Sequence, residues 1–224
     1  MRVMLAGATG LVGSRVLRLL LDDVRCTAVV APGRRPLPLA APRLLNPVLD
    51  FDRLPEDAPW WQVDAAICAL GSTLRQAGSR EAFHRIDHDY PLAIAYAVRA
   101  RGCAVFALNS AMGADPRSWF FYNRVKGELE RDLRALGFAS LALVRPGLIG
   151  GERAEPRPGE RAAARVLGAL APVLPRAWRI NPAGRIADAL VEAALAPRPG
   201  VQMIGSAQLV EQATGSTASM HHRA

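Results

Sequence analysis

The sequence predicts an α/β fold, a doubly wound parallel sheet, on three observations. Short apolar runs without clean alternation recur along the chain, as expected of strands covered on both faces. Longer stretches of helical spacing separate them, a βαβ rhythm that implies right-handed crossovers. A glycine triplet, Gly7-x-x-Gly10-x-x-Gly13, stands between the first apolar run and the first helical one.

Arg2–Ala6 reads as the first buried strand and Leu11–Leu21 as the first helix. The glycines between them have separate tasks. The first allows a tight turn, the second lets backbone N–H groups approach a pyrophosphate, and the third lets helix and strand pack closely. The helix N-terminus adds unpaired N–H donors and a positive dipole end. A dinucleotide phosphate site is therefore expected on Gly7, Thr9, Gly10, Leu11, Val12 and Gly13. Further strands are expected at Arg25–Val30, Pro47–Leu49, Asp64–Leu70, Cys103–Asn109 and Leu141–Val144, with a last one at Val201–Ile204. Helices are expected at Arg80–Arg101, Phe120–Leu136, Ala162–Ala171 and Ile186–Leu195, the first of them kinked or restarted at Asp89-Tyr90-Pro91. Gly147–Gly159, rich in Gly, Pro and charge, reads as a loop. Residues 1–213 are expected to form one dinucleotide-binding domain whose small substrate-side extension lies mainly at 146–200, and 214–224 to be a disordered tail.

The chain has 224 residues, 50% of them hydrophobic, enough for one sizeable core. No apolar run reaches membrane-spanning length, and the N-terminus enters a strand at once, so neither anchor nor signal peptide is expected. Cys26, Cys68 and Cys103 fall in expected strands without metal-like spacing and read as free buried thiols; a cytoplasmic location follows as the expectation. The net charge is +8, yet the arginines are scattered and no aromatics interleave them. Steering of an anionic cofactor explains the charge, and nucleic-acid binding is not expected. A small-molecule substrate and a monomer or homodimer are.

Among 28 Lys and Arg residues there is a single lysine, Lys126. Tyr122 lies four residues before it, and Ser110 ends an expected strand further upstream. At about 100° per residue, Tyr122 and Lys126 share the apolar face of their helix with Val125, Leu129 and Leu133. Arg124, Glu130, Arg131 and Arg134 read as the opposite, solvated side. A cation beside a phenol favours the phenolate. Tyr122 is therefore the candidate acid/base on a substrate oxygen, with Ser110 holding that oxygen and Lys126 also bonding the nicotinamide ribose. His84 and His88 lie four apart on a helix with no third ligand evident, so they read as solvated helix-face histidines and no metal is expected.

Gly7-x-x-Gly10-x-x-Gly13 with Ser110, Tyr122 and Lys126 resembles the short-chain dehydrogenase/reductase superfamily, in the glycine spacing of its extended and atypical branches. Cys68-Ala-Leu-Gly-Ser-Thr73, Asp87-His-Asp-Tyr90, Ser110-Ala-Met-Gly-Ala-Asp115, Val125-Lys-Gly-Glu128, Arg145-Pro-Gly147 and Arg157-Pro-Gly-Glu160 resemble, more closely, the TIP30/CC3 (HTATIP2-like) oxidoreductases. The likeness runs through most of residues 1–195. It implies a Rossmann fold that binds NADP(H) and an oxidoreductase acting on a small carbonyl or alcohol. Local chemistry agrees on NADP(H) over NAD(H): Arg34 and Arg35 end the second strand with no acidic residue to take a ribose 2′-OH. The resemblance further implies adenine contacts at Asp50 and Phe51, close backbone passage at Leu70 and Gly71, and Pro146 flanking the nicotinamide. Where the superfamily often carries a relay asparagine, this chain has Asp87. Two alternatives are a cofactor-loaded regulatory or redox-sensing protein with little catalysis and, with less support from the short stretch after Pro146, a nucleotide-sugar epimerase or dehydratase.

Overall fold

The computed structural model describes residues 1–150 and 180–211. The main sheet holds seven parallel strands: β1 (Arg2–Ala6), β2 (Ala28–Val30), β3 (Leu44–Leu45), β4 (Ala65–Cys68), β5 (Val105–Asn109), β6 (Ser140–Arg145) and β9 (Gly200–Gly205), in the order β3-β2-β1-β4-β5-β6-β9. A separate pair, β7 (Ile149–Gly150) and β8 (Asn181–Pro182), joins the ends of the stretch beyond β6. The helices are α1 (Gly13–Asp22), α2 (Leu74–Ala77), α3 (Arg80–His84), α4 (Tyr90–Ala100), α5 (Phe121–Ala135), α6 (Ala183–Leu195) and α7 (Ser206–Glu211). The doubly wound α/β fold is as expected.

Alternation within each strand divides the core. Val3 and Leu5 of β1 face one side with Val16, Leu17 and Leu20 of α1 and Ile186, Leu190 and Ala194 of α6. Met4 and Ala6 face the other side with Ile94 and Val98 of α4 and Leu129 and Leu133 of α5. Both faces are dry, which is why the strands read as continuous apolar runs. Strand order reverses between β1 and β4, whose register runs from Val3–Ala65 to Ala6–Cys68. Ligand crevices on such sheets open at the carboxyl ends of the strands flanking that reversal.

Two expectations are corrected. The third strand is Leu44–Leu45, paired with Val29–Val30, whereas Val48 makes only an isolated bridge to Gly33. Pro47 has no N–H to give a continuous ladder. The expected helix Arg80–Arg101 stays helical through its proline but widens into a π turn, Arg85–Asp89. Pro91 lacks the N–H that would reach the carbonyl of Asp87 and its ring crowds that carbonyl, so the preceding turn opens by one residue. The Ala162–Ala171 helix, most of the Gly147–Gly159 loop and the 214–224 tail lie outside the described residues. No described helix is long and apolar enough to cross a membrane.

Candidate active site

The glycine loop sits at the strand-order reversal, and each glycine has its own reason. Gly7 has φ +88°, and a Cβ there would lie 2.7 Å from the backbone of Ala69, just after β4. A Cβ on Gly13 would stand 2.0 Å from the carbonyl oxygen of Gly7. These two are required by internal packing. Gly10 is different: it is exposed, and its nearest neighbour would be Gly7 O at an ordinary 3.4 Å. No packing contact among the described residues demands glycine there. The N–H groups of Leu11, Val12 and Gly13 donate to no backbone carbonyl among the described residues. Val12 gives α1 no side-chain cap, and its first turn has no acidic residue. Unpaired donors at an uncapped helix start suit a phosphate. Thr9 is exposed beside them.

The remaining expected cofactor residues ring the same end of the sheet. Arg34 and Arg35 are exposed beyond β2 and form no ion pair with a described residue. Asp50 is exposed, while the Phe51 ring is buried and tilted against Tyr90 at 5.5 Å. Leu70 is half-buried and Gly71 exposed after β4. Pro146 is buried, and its carbonyl accepts the Met112 N–H at 2.8 Å. Asn109 Oδ1, at the carboxyl end of β5, is buried with no hydrogen-bond partner.

Lys126 is buried to 2% and its Nζ pairs with Asp87 Oδ1 at 2.8 Å. Asp87 Oδ2 accepts both the N–H and the hydroxyl of Ser72, at 2.8 and 2.7 Å. The π turn is what swings Asp87 inward. Burial works against the ammonium, but Asp87 and then Tyr122 outweigh it and raise the Lys126 pKa above its ordinary value. Lys126 is thus a cation held between a carboxylate and the phenol side. Tyr122 itself is 38% exposed, with its ring 5.6 Å from that of buried Phe83.

Ser110 does not join that pair by any hydrogen bond. Its hydroxyl donates to Glu130 Oε1 at 2.6 Å, and Glu130 is forked by Arg145, Nε to Oε1 at 2.9 Å and Nη2 to Oε2 at 2.5 Å. This corrects the placement of Glu130 on the solvated side. Eight residues beyond Tyr122 comes to about 80° around the helix, on the inward edge, and Glu130 is only 2% exposed. The corrected angle was the available signal, since a carboxylate bordering an apolar stripe needs a partner. His88 corrects the histidine reading in the same way: it is 8% exposed, within hydrogen-bonding range of Asp89 and Asp132. Sequence reasoning also missed Asn181, buried beside β7, whose Oδ1 accepts the Gly147 N–H at 2.7 Å.

The three thiols are free and buried, although Cys26 and Cys103 precede their strands rather than lie in them. Burial pushes Cys68 and Cys103 up to about 11 and raises Cys26 as well. At pH 8 a thiol titrating at about 11 is roughly one-thousandth thiolate. Ellman's reagent should leave Cys68 and Cys103 unlabelled over minutes in the folded protein and react at once after denaturation. Prompt labelling of either in the folded state would contradict the burial.

A seven-stranded parallel sheet, a glycine turn at its order reversal and a Tyr-x-x-x-Lys pair on α5, its lysine buried and its tyrosine partly exposed, define a protein of the NAD(P)-binding short-chain dehydrogenase/reductase type. No family model matches the chain. Protein HTATIP2 of Rattus norvegicus is 39% identical over 180 residues, which span 79% of this chain and 72% of that protein. The mitochondrial protein fmp52 of Emericella nidulans is 38% identical over 179 residues, 76% of each. The chain belongs to the HTATIP2/FMP52 family. Among solved structures, MoeE5 in complex with UDP-glucose and NAD is similar in fold, with a TM-score of 0.70 at 20% identity over 92% of this chain and 76% of that one. The expectation of a cytoplasmic location is overturned, because the fungal relatives are named mitochondrial. Thiol burial and hydropathy bear on redox and solvent; addresses are read by receptors from signals that neither feature encodes.

Proposed function

We propose that the chain is an NADP(H)-dependent oxidoreductase that transfers hydride to or from a small carbonyl or alcohol, with Tyr122 as acid/base. The observation that carries this reading is the chain's one lysine, buried against Asp87 one helical turn beyond Tyr122 on α5. The bound nicotinamide would supply or take up the hydride. Gly10 and the free N–H groups of Leu11, Val12 and Gly13 would hold its pyrophosphate, and Leu70 and Gly71 would let it pass close to β4. Tyr122 would give a proton to the substrate oxygen in reduction and take it back in oxidation. Lys126 would hold the ribose edge. Trp119 and Phe120, 97% and 75% exposed immediately ahead of Tyr122 in the chain, favour a substrate with an apolar body. The direct test is a panel of aldehydes, ketones and quinones assayed for NADPH oxidation, with the alcohol or quinol product identified. Turnover by the native protein is the expected result, and tight NADPH binding with no turnover across the panel would refute it.

One observation favours a second reading. The Ser110 proton is engaged by Glu130, a carboxylate that only accepts, so Ser110 offers lone pairs rather than a donor. Such a serine does not polarise a carbonyl, which fits a cofactor-loaded sensor, or an oxidation in which the substrate hydroxyl donates to Ser110.

Preference for NADP(H) over NAD(H) rests on Arg34 and Arg35. Each charge-assisted contact to a 2′-phosphate is worth about 1.5–3 kcal/mol. Arg34→Ala/Arg35→Ala should therefore weaken NADPH by at least tenfold per lost contact and leave NADH unchanged in calorimetric titrations. Equal NADPH and NADH affinities in the native protein would sink the preference.

A further inference from the structure

Two histidines and three carboxylates meet on the outer side of α5, away from the glycine loop. His84 Nδ1 and His88 Nδ1 both approach one atom, Asp89 Oδ1, at 3.1 and 2.8 Å. On the far side of each ring stands another carboxylate: Asp132 Oδ2 is 3.0 Å from His88 Nε2, and Glu128 Oε2 is 3.6 Å from His84 Nε2. The two rings lie 4.5 Å apart at 35°. His84 ends α3, His88 and Asp89 belong to the π turn that follows it, and α5 brings Glu128 and Asp132 to the outer nitrogens.

A neutral imidazole has one donor and one acceptor nitrogen, and an ionised carboxylate only accepts. His88 has a carboxylate oxygen beside each of its nitrogens, and His84 repeats the pattern at longer range.

An ion on the Asp89 side of the two rings fits this geometry. We propose that His84, His88 and Asp89 form a site for a divalent first-row transition ion of the zinc type. The ion takes a nitrogen of each ring and Oδ1 of Asp89, the three residues offering ligand atoms within 4.8 Å of one another. Tetrahedral bonds of about 2.0–2.2 Å to one ion place ligand atoms roughly 3.3–3.6 Å apart, so Asp89 Oδ1, at 3.1 and 2.8 Å from the two Nδ1 atoms, needs only a small outward shift. The single proton of each neutral ring then sits on Nε2, where His88 donates to Asp132 at 3.0 Å and Glu128 stands 3.6 Å from the His84 nitrogen. Carboxylates behind the coordinating imidazoles are the usual outer shell of such sites, fixing tautomer and ring orientation. Nitrogen ligands select zinc-like ions over magnesium or calcium. The inference is independent of cofactor and substrate.

The test uses the full-length chain without an affinity tag, stripped with chelator and titrated calorimetrically with Zn²⁺, with Co²⁺ absorption as a second readout. The expected result is one ion per chain, unchanged by excess Mg²⁺. His84→Ala and Asp89→Asn should each weaken binding at least tenfold, and Asp132→Asn by about 10- to 100-fold. His84 and Asp89 are partly exposed, so these variants should keep native circular dichroism even where His88→Ala does not. The only other histidines are His221 and His222, and His221→Ala/His222→Ala should change nothing. Absence of saturable Zn²⁺ binding would overturn the site. So would binding that survives His84→Ala and Asp89→Asn, or that disappears with His221 and His222.

Discussion

Tyr122→Phe is expected to keep the fold and the NADPH affinity while turnover falls by roughly 10²–10⁴. The ring packs against Phe83 at a centroid distance of 5.6 Å, and phenylalanine retains that contact. The hydroxyl makes no hydrogen bond with any described residue, so its removal orphans no partner. The lost group is then purely chemical: the proton donor to the reacting oxygen. Lys126→Arg should also be poor despite conserving charge. The ammonium occupies a closed space, 2% exposed, with Asp87 on one side and Gly71 near enough that an added Cβ would lie 3.8 Å from Nζ. A planar guanidinium is wider and offers its donors in a rigid fork. Substrate depletion by the native protein and both variants, normalised to NADPH bound, is the measurement. A substrate turned over equally well by Tyr122→Phe would refute the catalytic role and move the reading towards a cofactor-loaded sensor.

The second and third glycines of the triplet should separate folding from binding. Gly10→Ala is expected to abolish NADPH binding in a protein with native circular dichroism and melting temperature, because its Cβ meets only Gly7 O at 3.4 Å. The methyl would instead stand where backbone approaches the pyrophosphate. Gly13→Ala should fail in the opposite order. Its Cβ would fall within 2.0 Å of the Gly7 carbonyl, and relieving that clash prises α1 from β1, at a cost of about 3 kcal/mol or more. Calorimetric titration with NADPH and thermal melts of both variants decide it. Undiminished NADPH binding by Gly10→Ala would show that the loop is only structural.

How much of this was legible in the chain differs by element. β1, the glycine turn and α5 are written locally: an apolar run, a backbone requirement and a helical stripe are each properties of neighbouring residues. The third strand was displaced because Leu44-Leu45 and Pro47–Leu49 are both short apolar runs. Only the register beside Val29–Val30 selects between them. The proline in Asp89-Tyr90-Pro91 signalled an interruption, but not whether the helix would break or widen.

The sequence by itself determined the doubly wound sheet and the glycine turn between β1 and α1, because periodicity and backbone freedom are short-range. It put Tyr122 on the same inward face as Lys126, whereas the structure buries Lys126 and leaves Tyr122 38% exposed. Tertiary structure decided the partners: Asp87 for Lys126, Glu130 and Arg145 for Ser110, and Asp89 and Asp132 for His88. A buried charge must find an opposite charge or a donor. Which one it finds depends on the packing of α5 against β6 and the π turn, and a π turn shifts by one residue every side chain that follows it.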